Sequence, residues 1–164
     1  MISKSAVICG SSSLISENNN EITIGDFTVI NPKARLRANK GPIIIGQNNI
    51  IEENVEIIND YGGPLIIGNN NIFRVSCVFR GKSAGDNNIF ECRSEVYPLT
   101  TIGDNCVLGV KCRTGISEIV QSNTVIYGNN NEHRVVAFNF NDSQKKHVDY
   151  LCAIIPKYNH VLQS

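Results

Sequence analysis

The sequence predicts an all-β chain: a left-handed parallel β-helix of hexapeptide repeats, about seven coils long, with a C-terminal α-helix packed on one face. Three observations predict it. A six-residue string of the form Ile-Gly-x-Asn-Asn-Ile returns along the chain, its copies keep a period near 18, and one helix-spaced apolar stripe follows the last copy. The string reads Ile45-Gly46-Gln47-Asn48-Asn49-Ile50 and again Ile67-Gly68-Asn69-Asn70-Asn71-Ile72, with variants that begin at Ile24, Ala84, Ile102 and Val120. The gaps between first residues are 21, 22, 17, 18 and 18, which is an 18-residue period with small insertions and one deletion.

Each 18-residue unit divides into three sixes. An aliphatic residue at position one and a small residue at position five fit a short strand followed by a corner, and three such strands make one triangular coil. Gly and Asn recur just after position one, and corners that need φ > 0 explain both residue types. Residues 2–23 make an imperfect first coil, with Ile2, Ile8 and Leu14 in register ahead of the Asn18-Asn19-Asn20 loop.

Stacking the coils about 4.8 Å apart turns equivalent positions into columns. One interior column reads Ile24, Ile45, Ile67, Ala84, Ile102, Val120, and a second reads Ile30, Ile51, Phe73, Phe90, Leu108, Ile126. A third reads Leu36, Ile57, Phe79, Val96, Thr114. The small residues of the first face, Thr28, Asn49, Asn71, Asn88, Cys106 and Thr124, predict an asparagine ladder. On the second face they are Ala34, Val55, Cys77, Ser94 and Cys112. Together the columns form a core that no single coil could bury. The insertion Tyr61-Gly62-Gly63-Pro64 is a turn signature expected to protrude at a corner.

One exterior column is aliphatic. Val29, Ile50, Ile72, Ile89, Val107 and Val125 precede the second strands and point outward by alternation, an apolar patch that needs a cover. Val148, Leu151, Cys152 and Ile155 fall at i, i+3, i+4 and i+7, so a terminal helix supplies that cover. Its N-cap chemistry is expected within Asn141-Asp142-Ser143-Gln144 and its stop at Pro156. Residues 1–131 are thus read as the β-helix, and residues 132–164 as a connecting segment, amphipathic helix and short tail.

Composition narrows the function. The chain has 164 residues with 15 basic and 15 acidic side chains, so no nucleic acid is expected as its partner. No apolar run is long enough to span a bilayer or serve as a signal peptide, and direct membrane insertion is not expected. Six Cys without a secretory signal are read as reduced, cytosolic thiols. Hexapeptide β-helices that catalyse use coil histidines, as a general base for acyl transfer or as zinc ligands for carbon dioxide hydration. Here the first histidine is His133, beyond the last regular coil, followed by His147 and His160. No catalytic, cofactor-binding or metal residues are therefore assigned. Cys77 and Cys112 share a column but lie two coil spacings apart, too far for one zinc. Glu132, His133 and Arg134 are read as a solvated connection. The column Glu52, Arg74, Glu91 alternates in sign on one outer face; it suits cross-strand pairing and is also a candidate partner-facing surface.

At this point the residues carry a resemblance. Thr28-Val29-Ile30-Asn31-Pro32-Lys33-Ala34-Arg35, Gly41-Pro42-Ile43-Ile44-Ile45-Gly46 and Ile155-Pro156-Lys157-Tyr158-Asn159-His160 resemble the dynactin subunit 6 family. So do Asn49-Ile50-Ile51-Glu52-Glu53, Gly85-Asp86-Asn87-Asn88, Asn123-Thr124-Val125-Ile126-Tyr127-Gly128 and Asp149-Tyr150-Leu151. The resemblance implies a non-catalytic, cytoplasmic, cytoskeleton-associated subunit of a hetero-oligomer. It implies pairing with dynactin subunit 5, near subunit 4 and the pointed-end actin-related protein, in dynein-driven microtubule transport and cargo engagement. The loop after Ile58 is shorter than the family's, and the chain ends soon after the helix. The alternative is a relative of hexapeptide acyltransferases or γ-class carbonic anhydrases, inactive for want of coil histidines.

Overall fold

The computed structural model describes residues 1–136, 143–158 and 160–162. Three parallel sheets form the walls of a triangular solenoid of about six complete turns, with a seventh parallel strand on one wall. The first wall stacks Val7–Ile8, Val29–Ile30, Ile50–Ile51, Ile72–Phe73, Ile89–Phe90, Val107–Leu108 and Thr124–Tyr127, each paired with the next. The second wall has five strands, from Ser13–Ser16 to Glu95–Val96, and the third has six, from Ile22–Ile24 to Ile119–Val120.

The register matches the periodicity of the sequence residue by residue. Ile24 pairs with Ile45, Ile45 with Ile67, Ile67 with Ala84, Ala84 with Ile102 and Ile102 with Val120. The second column runs from Ile8 through Phe73 and Phe90 to Ile126, and the third runs through Leu36, Ile57, Phe79 and Val96. These residues form one continuous buried cluster. At its middle Phe73 and Phe90 stack with centroids 4.6 Å apart, and Phe79 meets both edge-on.

The corners correct one sequence expectation. Positive φ falls at position four of the repeat, at Phe27, Asn48, Asn70, Asn87, Asn105 and Asn123, whereas Gly128 is the described glycine with positive φ. Asn tolerates that conformation well because its short amide bonds locally. The glycines at position two serve close stacking instead. A Cβ on Gly46 would lie 2.6 Å from the carbonyl oxygen of Gly68, and one on Gly68 would lie 2.7 Å from that of Gly85. The Asn expectation holds; the glycines are selected by space rather than by φ.

Position five carries the ladder. Asn49, Asn71 and Asn88 are fully buried, and the Oδ1 atoms of Asn49, Asn71 and Asn88 accept the backbone N–H of Asn71, Asn88 and Cys106 at 2.8, 2.8 and 2.7 Å. A second ladder runs outside it at position three, where Asn69, Asp86, Asp104 and Ser122 each accept a backbone N–H from the coil before.

Three further elements depart from expectation. Residues 132–135, assigned to a solvated connection, form the strand Glu132–Val135, antiparallel to Thr124–Tyr127. Having run out of parallel coils, the chain folds back and satisfies the last edge of the first wall itself. The Tyr61 loop does not simply protrude. Buried Asn59 donates from Nδ2 to the carbonyls of Pro42 and Gly63 at 2.8 and 2.9 Å, and half-buried Tyr61 packs against the core. The terminal helix, Ser143–Tyr158, contains Pro156 rather than stopping before it. In the last turn the missing Pro N–H forfeits a single bond, so the chain continues two residues further. The cap residues expected at 141–142 lie outside the described residues.

Candidate interaction surfaces

The helix runs back along the first wall, against the direction of coil growth. Val148 packs on Ile50 and Ile72, Ile155 packs on Val7 and Val29, and half-buried Leu151 and Cys152 touch both groups. Helix rise explains the match. Seven residues advance about 10.5 Å along the axis, close to two coil spacings. Val29 and Ile50 are entirely buried as a result, whereas Ile89, Val107 and Val125 remain half-buried beyond the helix. The tail then closes the opposite end: Leu162 N–H donates to the carbonyl of Ile8 at 2.8 Å, and Cys9 bridges Val161 in antiparallel fashion.

The charge column resolves into a pair and a bystander. Arg74 Nη1 donates to Glu52 Oε1 at 2.9 Å, and the other Glu52 oxygen accepts the Val75 N–H at 3.0 Å. Glu91 joins no ion pair among the described residues. Both partners in the Glu52–Arg74 pair keep some solvent contact, so its contribution to stability is a few tenths of a kcal/mol, roughly.

The histidines are dispersed. His133 sits in the terminal antiparallel strand, opposite Ile126 and 3.3 Å from Glu118. His160 lies against Gly10 in the first coil, at the other end of the solenoid, and His147 is an exposed helix residue. No cluster of three metal-ligating side chains occurs among the described residues. The six thiols are free. Burial pushes Cys77 up to about 12, and raises Cys106, Cys112 and Cys152 as well, so the neutral thiol is their ordinary form. No described helix is long and apolar enough to cross a membrane.

The sequence reading missed one further surface. An open groove of about 290 Å³ at the corner leading into the second wall is lined by Ser11, Ser13, Lys33, Arg35 and Asn54. Its signal is Lys33 and Arg35 at the corner, and alternation puts Arg37, beyond the groove lining, on the same outer face of the strand.

Dynactin subunit 6 of Nematostella vectensis is 37% identical over 155 residues, spanning 88% of this chain and 84% of the relative. The Danio rerio protein of the same name is 36% identical over 172 aligned positions, spanning 98% and 86%. Among solved structures, a hexapeptide transferase family protein from Anaplasma phagocytophilum superposes with a TM-score of 0.63 at 18% identity, covering 96% of this chain and 91% of its own. At that identity the likeness is one of fold. No family profile matches the chain. The two near-full-length relatives carry the same name and share more than a third of their residues with this β-helix: the chain belongs to the dynactin subunit 6 family.

Proposed function

We propose that this chain is a structural, non-catalytic subunit of dynactin that supports dynein-driven microtubule transport and cargo engagement. The observation that carries the reading is identity with dynactin subunit 6 proteins along nearly the whole chain. The dispersal of His133 and His160 to opposite ends of the solenoid supports it. Acyl transfer on this fold needs an imidazole beside the acceptor, and zinc hydration needs three ligands on one ion. In this reading the protein works in the cytoplasm as part of a hetero-oligomer, pairing with dynactin subunit 5 near subunit 4 and the pointed-end actin-related protein. Glu52, Arg74 and Glu91 face that assembly, and Val148, Leu151, Cys152 and Ile155 hold the helix against the solenoid. No cofactor, nucleic acid or inserted membrane segment takes part.

Affinity purification of the tagged chain from its own cells, followed by mass spectrometry, tests the proposal. Other dynactin subunits at comparable abundance are the expected result. A solitary homotrimer would sink the reading. The fold likeness to a transferase family favours one second reading, a hexapeptide enzyme relative. One tightly bound zinc per chain, or acyl transfer by the purified protein, would select it.

A further inference from the structure

We propose that the outer face of the second wall, at its N-terminal end, docks an extended segment of a partner protein that carries carboxylates at alternate positions. The strand Arg35–Ala38 turns Leu36 and Ala38 inward, so Arg35 and Arg37 project from the same outer face. Lys33, exposed at the preceding corner, adds a third cation, and Ser11, Ser13 and Asn54 complete the groove beside it.

The charges of this patch are only partly answered from within the chain. Glu56 pairs with Arg35 at 3.0 Å. Arg37 enters no ion pair among the described residues, and its Nε–H is buried with no hydrogen-bond partner. With Nε closed to solvent, an incoming carboxylate meets the Nη groups of this half-buried side chain, which no carboxylate of the described residues answers. Arg37 is flanked across the sheet by Ile15, 39% exposed, and by Ile58, which is buried. An anion at Arg37 therefore has aliphatic neighbours on both adjoining coils, where a charge pair is less screened than in open solvent.

Spacing selects the kind of partner. Alternate residues on a strand lie about 6.6 Å apart, and Arg35 already leans on Glu56 of the next coil, so the two side chains offer successive points of contact along the strand. An extended chain has the same period, and acidic residues at its i and i+2 positions meet one guanidinium each. The Ser11 and Ser13 hydroxyls and the Asn54 amide are then placed to donate to the main-chain carbonyls of the guest. This surface does not depend on the dynactin reading, and it differs from the Glu52–Arg74 column.

A fluorescein-labelled peptide, Ser-Asp-Ser-Asp-Ser-Asp-Ser, titrated with the full chain at low ionic strength provides the test by fluorescence polarisation. Saturable binding is expected, weakened about tenfold by Arg37→Gln, the equivalent of one lost charge-assisted contact. Arg113→Gln, at the far end of the same wall, leaves binding unchanged. Circular dichroism establishes that each variant is folded, and if Arg37→Gln is not, Lys33→Gln at the exposed corner carries the same expectation. Equal binding of the peptide with Asn in place of Asp overturns the proposal, as does absence of saturable binding. Competition by inorganic phosphate as effective as that by unlabelled peptide also overturns it, in favour of a point anion site.

Discussion

The side-chain oxygen of Asn71 accepts the backbone N–H of Asn88, one coil further on, at 2.8 Å, while its Nδ2 donates to the carbonyl of Gly85 at 2.9 Å. One fully buried amide thus ties two coils together at a corner where the main chain has left the sheet. Asn71→Ala strands a buried donor and a carbonyl together. The expected loss is about 2–4 kcal/mol in a denaturant titration, since each orphaned buried group costs about 1–3 kcal/mol. A loss within experimental error would show that water replaces the ladder.

Phe73 and Phe90, with Phe79 against their edges, are the largest fully buried side chains among the described residues. Phe73→Ala or Phe90→Ala should each cost about 3–5 kcal/mol through lost burial and a cavity. The double variant should cost less than the sum, because the rings share contacts worth about 0.5–1.5 kcal/mol beyond area burial. A double-mutant cycle on urea unfolding measures both.

Gly68→Ala and Gly62→Ala should diverge. A Cβ at Gly68 meets the Gly85 carbonyl oxygen at 2.7 Å, whereas one at Gly62 has nothing within 4 Å. The first should lose about 1–3 kcal/mol by overpacking between coils, and the second should leave the melting temperature near that of the parent. Equal behaviour would contradict the stacking role given to the glycine column.

Val148 is fully buried between Ile50 and Ile72, so Val148→Asp places an unpaired charge in an apolar contact. The expected result is a detached helix and exposed aliphatics on the first wall. Hydrogen exchange on the isolated wild-type chain should find residues 146–155 protected, and Val148→Asp should remove that protection. Rapid exchange in the wild-type chain would instead make the helix a partner-binding element. A helix of this length owes its stability to packing rather than to propensity.

Burial disfavours the Cys77 thiolate and pushes the thiol up to about 12 in the folded chain, against 9.0 for a free thiol. The folded state holds this proton more tightly than the unfolded chain. That contribution is fully present below pH 9 and is lost as pH rises from 9 toward 12. Stability should therefore fall over this range, and Cys77→Ala should shrink the fall. Thiol labelling at pH 8 should modify Cys92 and Cys152, both half-buried, well before Cys77. Equally fast labelling of Cys77 would contradict its burial.

The repeat alone determined the coil, the register and the core columns. Strand pairing in a solenoid is between equivalent positions of successive copies, so a period read from Ile45, Ile67 and Ile102 is already a contact list. The Asn49–Asn71–Asn88 ladder was legible for the same reason, since it depends on residue type at a fixed phase, and the family was legible in particular strings such as Asn31-Pro32-Lys33-Ala34-Arg35 and Pro156-Lys157-Tyr158-Asn159-His160. Features without a period were decided by tertiary structure. Glu132, His133 and Arg134 read as a polar connection from their residue types, and the strand Glu132–Val135 exists because Thr124–Tyr127 presents an open edge. How far the helix reaches, from Ile72 back to Val7, follows from its meeting the wall antiparallel to coil growth, which no local pattern records. The glycine column was visible but its cause was not, since a missing Cβ reads alike whether φ or a neighbouring coil demands it. Arg37 belongs to the same class: its outward direction follows from alternation, but that its Nε is buried and unanswered appears only in the folded chain, where Ile15 and Ile58 are its neighbours on the adjoining coils.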